Sequence, residues 1–587
     1  MGRSRGVRRF VPILDWLPRY AKTDLPGDLI AGGIVAVMLV PQAMAYAMLA
    51  GLPPQIGLYA SILPLIAYGA LGSSRALAVG PVAIASLMAA SALGAVAEAG
   101  TADYVAAALV LAALSGLILL AMGIARLGVL VNFLSHPVIS GFTSAAALVI
   151  AVSQLKHLLG LEVGGRGEFA VVLGEVAREV THTNVATALL GVGAIAVLIL
   201  SRRPLARMLG ALGLSPARIA PVTKVGPLVA VFLAALTVWA FGLNDAFGVA
   251  IVGTIPAGLP PVGMPRLDPA LWADLFPAAV LISVIGFLES VSVAKALASK
   301  RRQKIDANQE LLALGTANLA ASVTGGYPVA GGFGRSSVNF AAGANTPLAS
   351  LITAALMALT LLFLTPLFFY LPRAVLAAII IVAVLDLIDL RTFRDAWRYN
   401  KADAVSLAAT FLSVLAAGVE AGIVVGLVVS IGLYLWRTSR PHLAVVGRVG
   451  DTEHFRNVRR HTVQTTPGVH VVRVDESLYF ANASYLEDQL LGAVADDRTI
   501  QHVVLICSAV NFIDASALET LESTIVGLRD AGVTLHLAEV KGPVADRLQR
   551  TAFLEHLKPG SVFLSTHDAV RALAGRVPLG DTDRHPI

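Results

Sequence analysis

The sequence points to an α-helical polytopic membrane protein of fourteen spans, built as a 7+7 inverted repeat, with a C-terminal α/β domain. Three observations lead there. Hydrophobic residues make up 56% of the 587 and charged residues only 14%, against about 25% charged in ordinary soluble domains. The charge is unevenly spread: 50 charged residues lie in the first 440 and 32 in the last 147. Two interrupted apolar stretches occupy matching places, third in each set of seven. A soluble multidomain enzyme and a disordered chain are excluded as the main body. One cysteine, Cys507, excludes a disulfide scaffold and a multi-cysteine metal or iron–sulfur centre.

Residues 1–26 read as a cytoplasmic basic segment. Arg3, Arg5, Arg8, Arg9, Arg19 and Lys22 accompany Pro12 and Pro18 without the apolar core of a cleavable signal. The body, 27–437, holds runs suited to the roughly 20 apolar residues that a helix needs to cross a bilayer. They lie near 28–50, 55–71, 102–124, 136–155, 184–200, 225–242, 274–297, 308–324, 349–371, 374–389, 402–418 and 420–436. Adding the interrupted stretches 76–95 and 328–343 makes fourteen.

The loops test that count. With the N-terminus inside, loops after even-numbered spans should be basic. They carry Arg75; Arg126; Arg202, Arg203, Arg207, Arg218 and Lys224; Lys300, Arg301, Arg302 and Lys304; and Arg391, Arg394, Arg398 and Lys401. The opposite loops are poor in bases or acid-balanced. The loop 156–179 is mixed, with Lys156, Arg166 and Arg178 among Glu162, Glu168, Glu175 and Glu179. Dropping one interrupted stretch inverts every later loop. Both ends are therefore expected on the cytoplasmic side of an inner (plasma) membrane, with the bilayer as partner and no nucleic acid.

The first interrupted stretch reads Gly80-Pro81-Val82-Ala83-Ile84-Ala85-Ser86. The second runs from Gly326-Tyr327-Pro328 to Gly332-Phe333-Gly334-Arg335-Ser336. Proline donates no backbone hydrogen bond and glycine starts a helix poorly. An extended lead-in followed by a half-helix starting mid-membrane is expected at each. Irregular backbone at that depth survives only in protein or along a cavity, and paired breaks of this kind point to a transporter site. A half-helix N-terminus offers unpaired N–H groups and about half a positive charge. Two of them plus Arg335, a permanent cation, form a site for a small anion.

The run Pro41-Gln42-Ala43-Met44-Ala45-Tyr46-Ala47, with Gly51-Leu52-Pro53-Pro54 and Gly57-Leu58-Tyr59, resembles the signature of SulP-type anion permeases, the family of sulfate permeases, animal solute-carrier anion exchangers and prestin. Gly72-Ser73-Ser74-Arg75, Asn308-Gln309-Glu310-Leu311 and Gly334-Arg335-Ser336 resemble its later blocks. The resemblance implies a core domain moving past a gate domain in an elevator-like way. The anion then sits between spans 1, 3, 8 and 10, near Gln42, Tyr46, Val82, Ala83, Phe333, Gly334, Arg335 and Ser336. Relatives often carry serine where this chain has Gly334. Ser336 or a water then substitutes for that hydroxyl, or selectivity differs.

Glu289 lies in the otherwise apolar run of span 8. A carboxylate in a membrane helix is costly and by default functional. It is read either as the proton acceptor of an anion–proton symporter or as a structural ion-pair partner of Arg335 or Lys295. The resemblance also bears on sodium. Sodium-dependent bicarbonate relatives place hydroxyls where this chain has Val293 and Phe333, which disfavours sodium. Sulfate-class oxyanions and small carboxylates are the expected cargo. A sodium-coupled bicarbonate symporter, an anion exchanger, a channel-like conductor and a membrane-tethered signalling protein stay as alternatives. Asn318 and Asn339 read as helix cross-links.

From 438 onward, β and α signals alternate. Val469–Val474, Leu478–Phe480, His502–Cys507 and Val533–Leu537 read as strands, the third of parallel type. Ser484–Ala495, Ala515–Arg529, Pro543–Arg550 and Asp568–Ala574 read as helices, with Ser484 and Glu487 at capping-box spacing. The tail resembles the STAS domain of SulP permeases. That resemblance implies a dimerising or regulatory role, a cytoplasmic protein partner, a homodimer, and Ser516 as a phosphorylation position or a plain first-turn residue. Asp514 should cap its helix. No nucleophile, base and metal converge anywhere, so neither an enzyme, a cofactor nor a metal is expected.

Overall fold

The computed structural model describes residues 11–132, 136–163, 169–212, 223 and 225–575. Arg3, Arg5, Arg8 and Arg9, and the loop residues Arg166, Glu168, Arg218 and Lys224, lie outside the described residues. The chain divides into two compact units, up to Ser430 and from Ile431.

Each apolar stretch forms a helix. These are α1 (Leu25–Leu49), α2 (Pro54–Leu71), α3 (Ala83–Val96), α4 (Ala102–Ile124), α5 (His136–Leu159), α6 (Val185–Leu200), α7 (Gly226–Phe241), α8 (Pro269–Lys300), α9 (Ala307–Val323), α10 (Phe333–Ala341), α11 (Leu348–Phe368) and α12 (Arg373–Leu385). The last two runs form one helical stretch, Lys401–Thr438, broken at Gly418, whose φ of 87° is foreign to a helix. A Cβ on Gly422 would lie 2.3 Å from Val414 Cγ2, and one on Gly426 would lie 2.3 Å from Thr410 Oγ1. Such pairs, mirrored about Gly418, require the chain to double back there, giving α13 (401–417) and α14 (419–438). Among the described residues seven helices are long and apolar enough to cross a bilayer, with Lys401–Thr438 counted as one. By contrast, α3 and α10 have only 14 and 9 residues, the half-helices that their prolines and glycines dictate.

Helices α1–α4 pack with α8–α11, while α5–α7 pack with α12. Matching members of the two repeats thus share a bundle. Helix α4 crosses α9 closely. A Cβ on Gly116 would sit 2.9 Å from Gly315 O, and one on Gly315 would sit 2.9 Å from Gly116 O. Only glycine allows those backbones so close, the small-residue packing that serves helices in lipid.

Glu310 fastens α9 to the end of α2. It is fully buried. It accepts from Tyr68 Oη (2.7 Å), Ser73 N and Oγ (2.8 and 2.7 Å) and Ser74 N (3.1 Å). Asp28 does the same at the start of α1, accepting from Asn345 N, Thr346 N and Thr346 Oγ1 at 2.7, 3.1 and 2.6 Å.

The second unit carries a six-stranded sheet. Its strands are β3 (Leu443–Arg448), β4 (Phe455–Asn457), β5 (Val469–Val474), β6 (His502–Ile506), β7 (Thr534–Ala538) and β8 (Val562–Phe563), in the order β4-β3-β5-β6-β7-β8. The pairs from β5 to β8 are parallel, and β3 is antiparallel to both neighbours. Helices α15 (Ala483–Asp496), α16 (Ala515–Asp530), α17 (Gly542–Leu548) and α18 (Thr566–Ala574) follow. The pattern on β6 explains the layering. Val503 and Leu505 join the core with Leu486 and Leu521, while Val504 and Ile506 meet Ala569 and Leu573 of α18. Leu478–Phe480 is not a strand. Leu478 makes one bridge to Ile513, and the chain turns at once into α15. The capping box is not formed either, because the helix already starts at Ala483 and Glu487 instead accepts from Ser523 Oγ at 3.2 Å. Asp514 does cap α16, accepting from Ala517 N at 2.8 Å. Strands β3 and β4 were not expected from the sequence.

Two outcomes follow from this packing. Glu310→Ala strands four donors and should destabilise the protein by about 3 kcal/mol or more. Glu310→Gln keeps an acceptor and should cost less, an order that thermal unfolding in detergent can check. In the tail, burial, then the Glu539 charge, pushes the Cys507 thiol up to about 12. At pH 8 roughly one thiol in ten thousand is thiolate, so the native protein should resist iodoacetamide until denaturant exposes this cysteine.

Candidate functional site

The two interrupted stretches meet. Val79–Gly80 (β1) pairs antiparallel with Ala330–Gly331 (β2), Val79 opposite Gly331 and Gly80 opposite Ala330. Gly332 N adds a bond to Ala78 O at 3.3 Å. Proline and glycine keep both lead-ins from coiling, so their backbone groups satisfy one another and neighbouring side chains. Ser290 Oγ on α8 accepts from Gly331 N (2.7 Å). Asn318 on α9 accepts from Val329 N (2.9 Å) and donates to Val329 O (3.0 Å). Asn339 Nδ2 donates to Ala76 O at 3.0 Å. These asparagines cross-link the broken segments.

Helix α3 opens after Val82 and α10 after Gly332, and neither has a side chain capping its first N–H groups. Both N-termini therefore present donors and the positive end of a helix dipole. Arg335, in the first turn of α10, is 3% exposed. Its Nη1 donates to Pro81 O at 2.6 Å, across the gap to the other lead-in. Its Nε and Nη2 are buried without a hydrogen-bond partner, as is Oε2 of Glu289. A Cβ on Gly80 would come 3.5 Å from Nη2 and one on Gly332 3.3 Å, so glycines flank the guanidinium.

Tyr46 from α1, Tyr327 from the second lead-in, Glu289 from α8 and Arg335 from α10 act on one another electrostatically. Tyr46, Val82 and Ala83 are buried. Gln42 is half-buried, one turn before Tyr46. Phe333 is 54% exposed, and Gly334 is exposed too, so these two line the open side of α10. Glu289 forms no ion pair with Arg335 or Lys295 among the described residues; Lys295 is exposed.

Ser336 differs from the expectation of a hydroxyl offered to cargo. It is fully buried, donates to Gly332 O (2.7 Å) and accepts from Ala78 N (2.9 Å). A hydroxyl has one proton, and here that proton serves the backbone. Tyr327 was missed as a site residue. It is fully buried, and its hydroxyl shares a 2.8 Å hydrogen bond with Ser86 of α3. The signal was present: a phenol in an apolar stretch needs a partner.

In the second unit, Ser516 is exposed on the first turn of α16, next to the capping Asp514.

The sulfate permease family profile matches residues 25–410 and the STAS domain profile residues 460–569. "Sulfate transporter 4.1, chloroplastic" of Arabidopsis thaliana is 36% identical over 573 residues, covering 95% of this chain and 82% of that protein. Sulfate transporter 1.1 of the same plant is 32% identical over 588 residues, covering 97% and 89%. The solved structure of the murine Solute Carrier 26 family member A9 anion transporter, in its inward-facing state, superposes with a TM-score of 0.88 at 26% identity, over 98% of this chain and 95% of that one. The transmembrane domain of the cyanobacterial bicarbonate transporter BicA shares the fold, with a TM-score of 0.58 at 23% identity over 70% and 99%. The chain belongs to the sulfate permease family of multi-pass membrane transport proteins and carries a C-terminal STAS domain.

Proposed function

We propose that this protein is a secondary active anion transporter, a proton symporter of sulfate-class oxyanions or small carboxylates. One observation carries the reading: a buried guanidinium with two unmatched donors stands between two uncapped half-helix N-termini. An unpaired buried cation is strongly unfavourable, and a small anion supplies the acceptors that the protein withholds. The names of the plant relatives support sulfate as cargo.

Proton coupling is supported by Glu289, which shares the site with Arg335 and has a buried oxygen without a donor. When an anion takes up the Arg335 charge, the carboxylate loses its compensation and takes a proton, so both cargoes move together. Sodium is disfavoured because Val293 and Phe333 bring no oxygen. The elevator-like movement is supported by where the polar links fall. Glu310, Asp28, Asn318, Asn339, Ser336 and Ser290 all bind within α1–α4 and α8–α11, making a stiff body. An inner-membrane location with both ends cytoplasmic follows from the basic loops. A homodimer, a cytoplasmic partner of the STAS domain and modification at Ser516 belong to the same proposal.

Counterflow of labelled sulfate, fumarate, bicarbonate and chloride in proteoliposomes, with and without pH and sodium gradients, tests the reading. Arg335→Ala should raise the half-saturating anion concentration about tenfold or more, the loss of a charge-assisted hydrogen bond. Glu289→Gln should retain counterflow yet lose accumulation driven by a pH gradient. Wild-type accumulation by Glu289→Gln would refute proton coupling through this residue, and a sodium requirement would replace it. A chain lacking residues 441–587 should still transport, which a tethered signalling protein would not.

A further inference from the structure

Between α12 and α13 lies a short helix, Leu390–Tyr399. Only residues 386–389 separate it from α12, and only Asn400 from α13. Held so closely between two membrane helices, it lies at the bilayer surface. Its orientation is set by Asp389, which caps it by accepting from Arg391 N (3.0 Å) and Thr392 N (3.1 Å). Asp389 N in turn donates to Ser144 of α5 at 3.1 Å.

At about 100° per residue, its side chains sort into four sectors. Thr392 and Ala396 are half-buried, on the side toward the protein. Next come Leu390, Phe393 and Trp397, exposed by 78%, 41% and 56%, with the two rings stacked 6.3 Å apart. Beyond them Arg391, Arg394 and Arg398, spaced i, i+3 and i+7, form one exposed stripe along the apolar edge. Asp395 and the 92% exposed Tyr399 stand on the far side. Arg394 has a loose contact with Asp395 at 3.7 Å. Among the described residues Arg391 and Arg398 have no carboxylate partner.

We propose that this helix is a docking site for acidic phospholipid: its apolar edge enters the acyl boundary and its three arginines hold anionic headgroups of the adjoining leaflet. The order protein, apolar edge, arginines, acid matches the depth profile of an interface. A water-exposed loop helix has no use for an exposed, stacked Phe–Trp pair beside arginines of which two lack a carboxylate partner. The arginine fork suits phosphate oxygens. The inference rests on the membrane placement of α12 and α13 and not on the cargo or its coupling.

The test uses the full chain in nanodiscs of phosphatidylcholine with phosphatidylglycerol, counting the lipid that co-purifies. The wild type should be enriched in phosphatidylglycerol above the bulk ratio. The variant R391Q/R394Q/R398Q should lose enrichment by up to about fivefold per arginine, while R391K/R394K/R398K keeps most of it. Millimolar inorganic phosphate should leave enrichment intact, which separates a lipid site from a free-phosphate site. Independently of those variants, acyl-brominated lipid should quench the emission that W397F removes. Equal enrichment in the glutamine variant, displacement by phosphate, or an unquenched Trp397 would each overturn the proposal. Transport in pure phosphatidylcholine reports on the cargo site separately.

Discussion

Everything in the membrane unit turns on one constraint: two stretches of backbone lie at membrane depth without a helix to satisfy them. Lipid offers no hydrogen bonds, and each unmet group there costs several kcal/mol. The chain meets this by pairing the stretches with each other, Val79–Gly80 against Ala330–Gly331. That ladder is only two residues long on each side, yet it fixes where α3 and α10 begin. Both helix starts, with their free N–H groups, are thereby brought to one place.

Two residues per strand do not hold such a join alone. The remaining groups are met by side chains from the flanking helices: Ser290 from α8, Asn318 from α9, and Ser336 and Asn339 from α10 itself. Glu310 then ties α9 to the residues that lead into β1. Each is a polar side chain in an apolar span, and each stands in for water. The consequence is mechanical. A region that is irregular in backbone becomes rigid in cross-linking, which suits the proposed movement of the site together with its bundle.

The span positions, the two breaks, the paired asparagines and the cationic residue are legible in the sequence because each has a local cause. Apolar length, proline, glycine and an isolated charge are read position by position. What escaped depends on partners far away in the chain. Ser336 reads as a free hydroxyl until Ala78 N, 258 residues earlier, is seen to claim it. Tyr327 needs Ser86 in the other repeat, and Glu310 needs Tyr68. In the tail, Leu478–Phe480 has the composition of a strand but no room to be one before α15 starts, while β3 hides directly after the last membrane helix, where an apolar strand looks like its continuation, and β4 is only the three residues Phe455-Arg456-Asn457.

For the proton symport proposed above, the lack of an ion pair between Glu289 and Arg335 has a consequence. Had the two formed an ion pair, the guanidinium would already be satisfied, and an incoming anion would need to break that bond before gaining its own. A carboxylate near enough to feel the cation but not bonded to it is in a different position. It is stabilised as an anion only through space by Arg335, and that stabilisation is what a bound anion takes away. The two negative groups then compete for one positive charge inside a region of low dielectric, where such competition is strong. Protonating the carboxylate relieves the competition without loosening the anion. In the proposed symport, linkage between the two cargoes thus needs no moving part at the site, only one arginine shared by two acceptors that cannot both hold it.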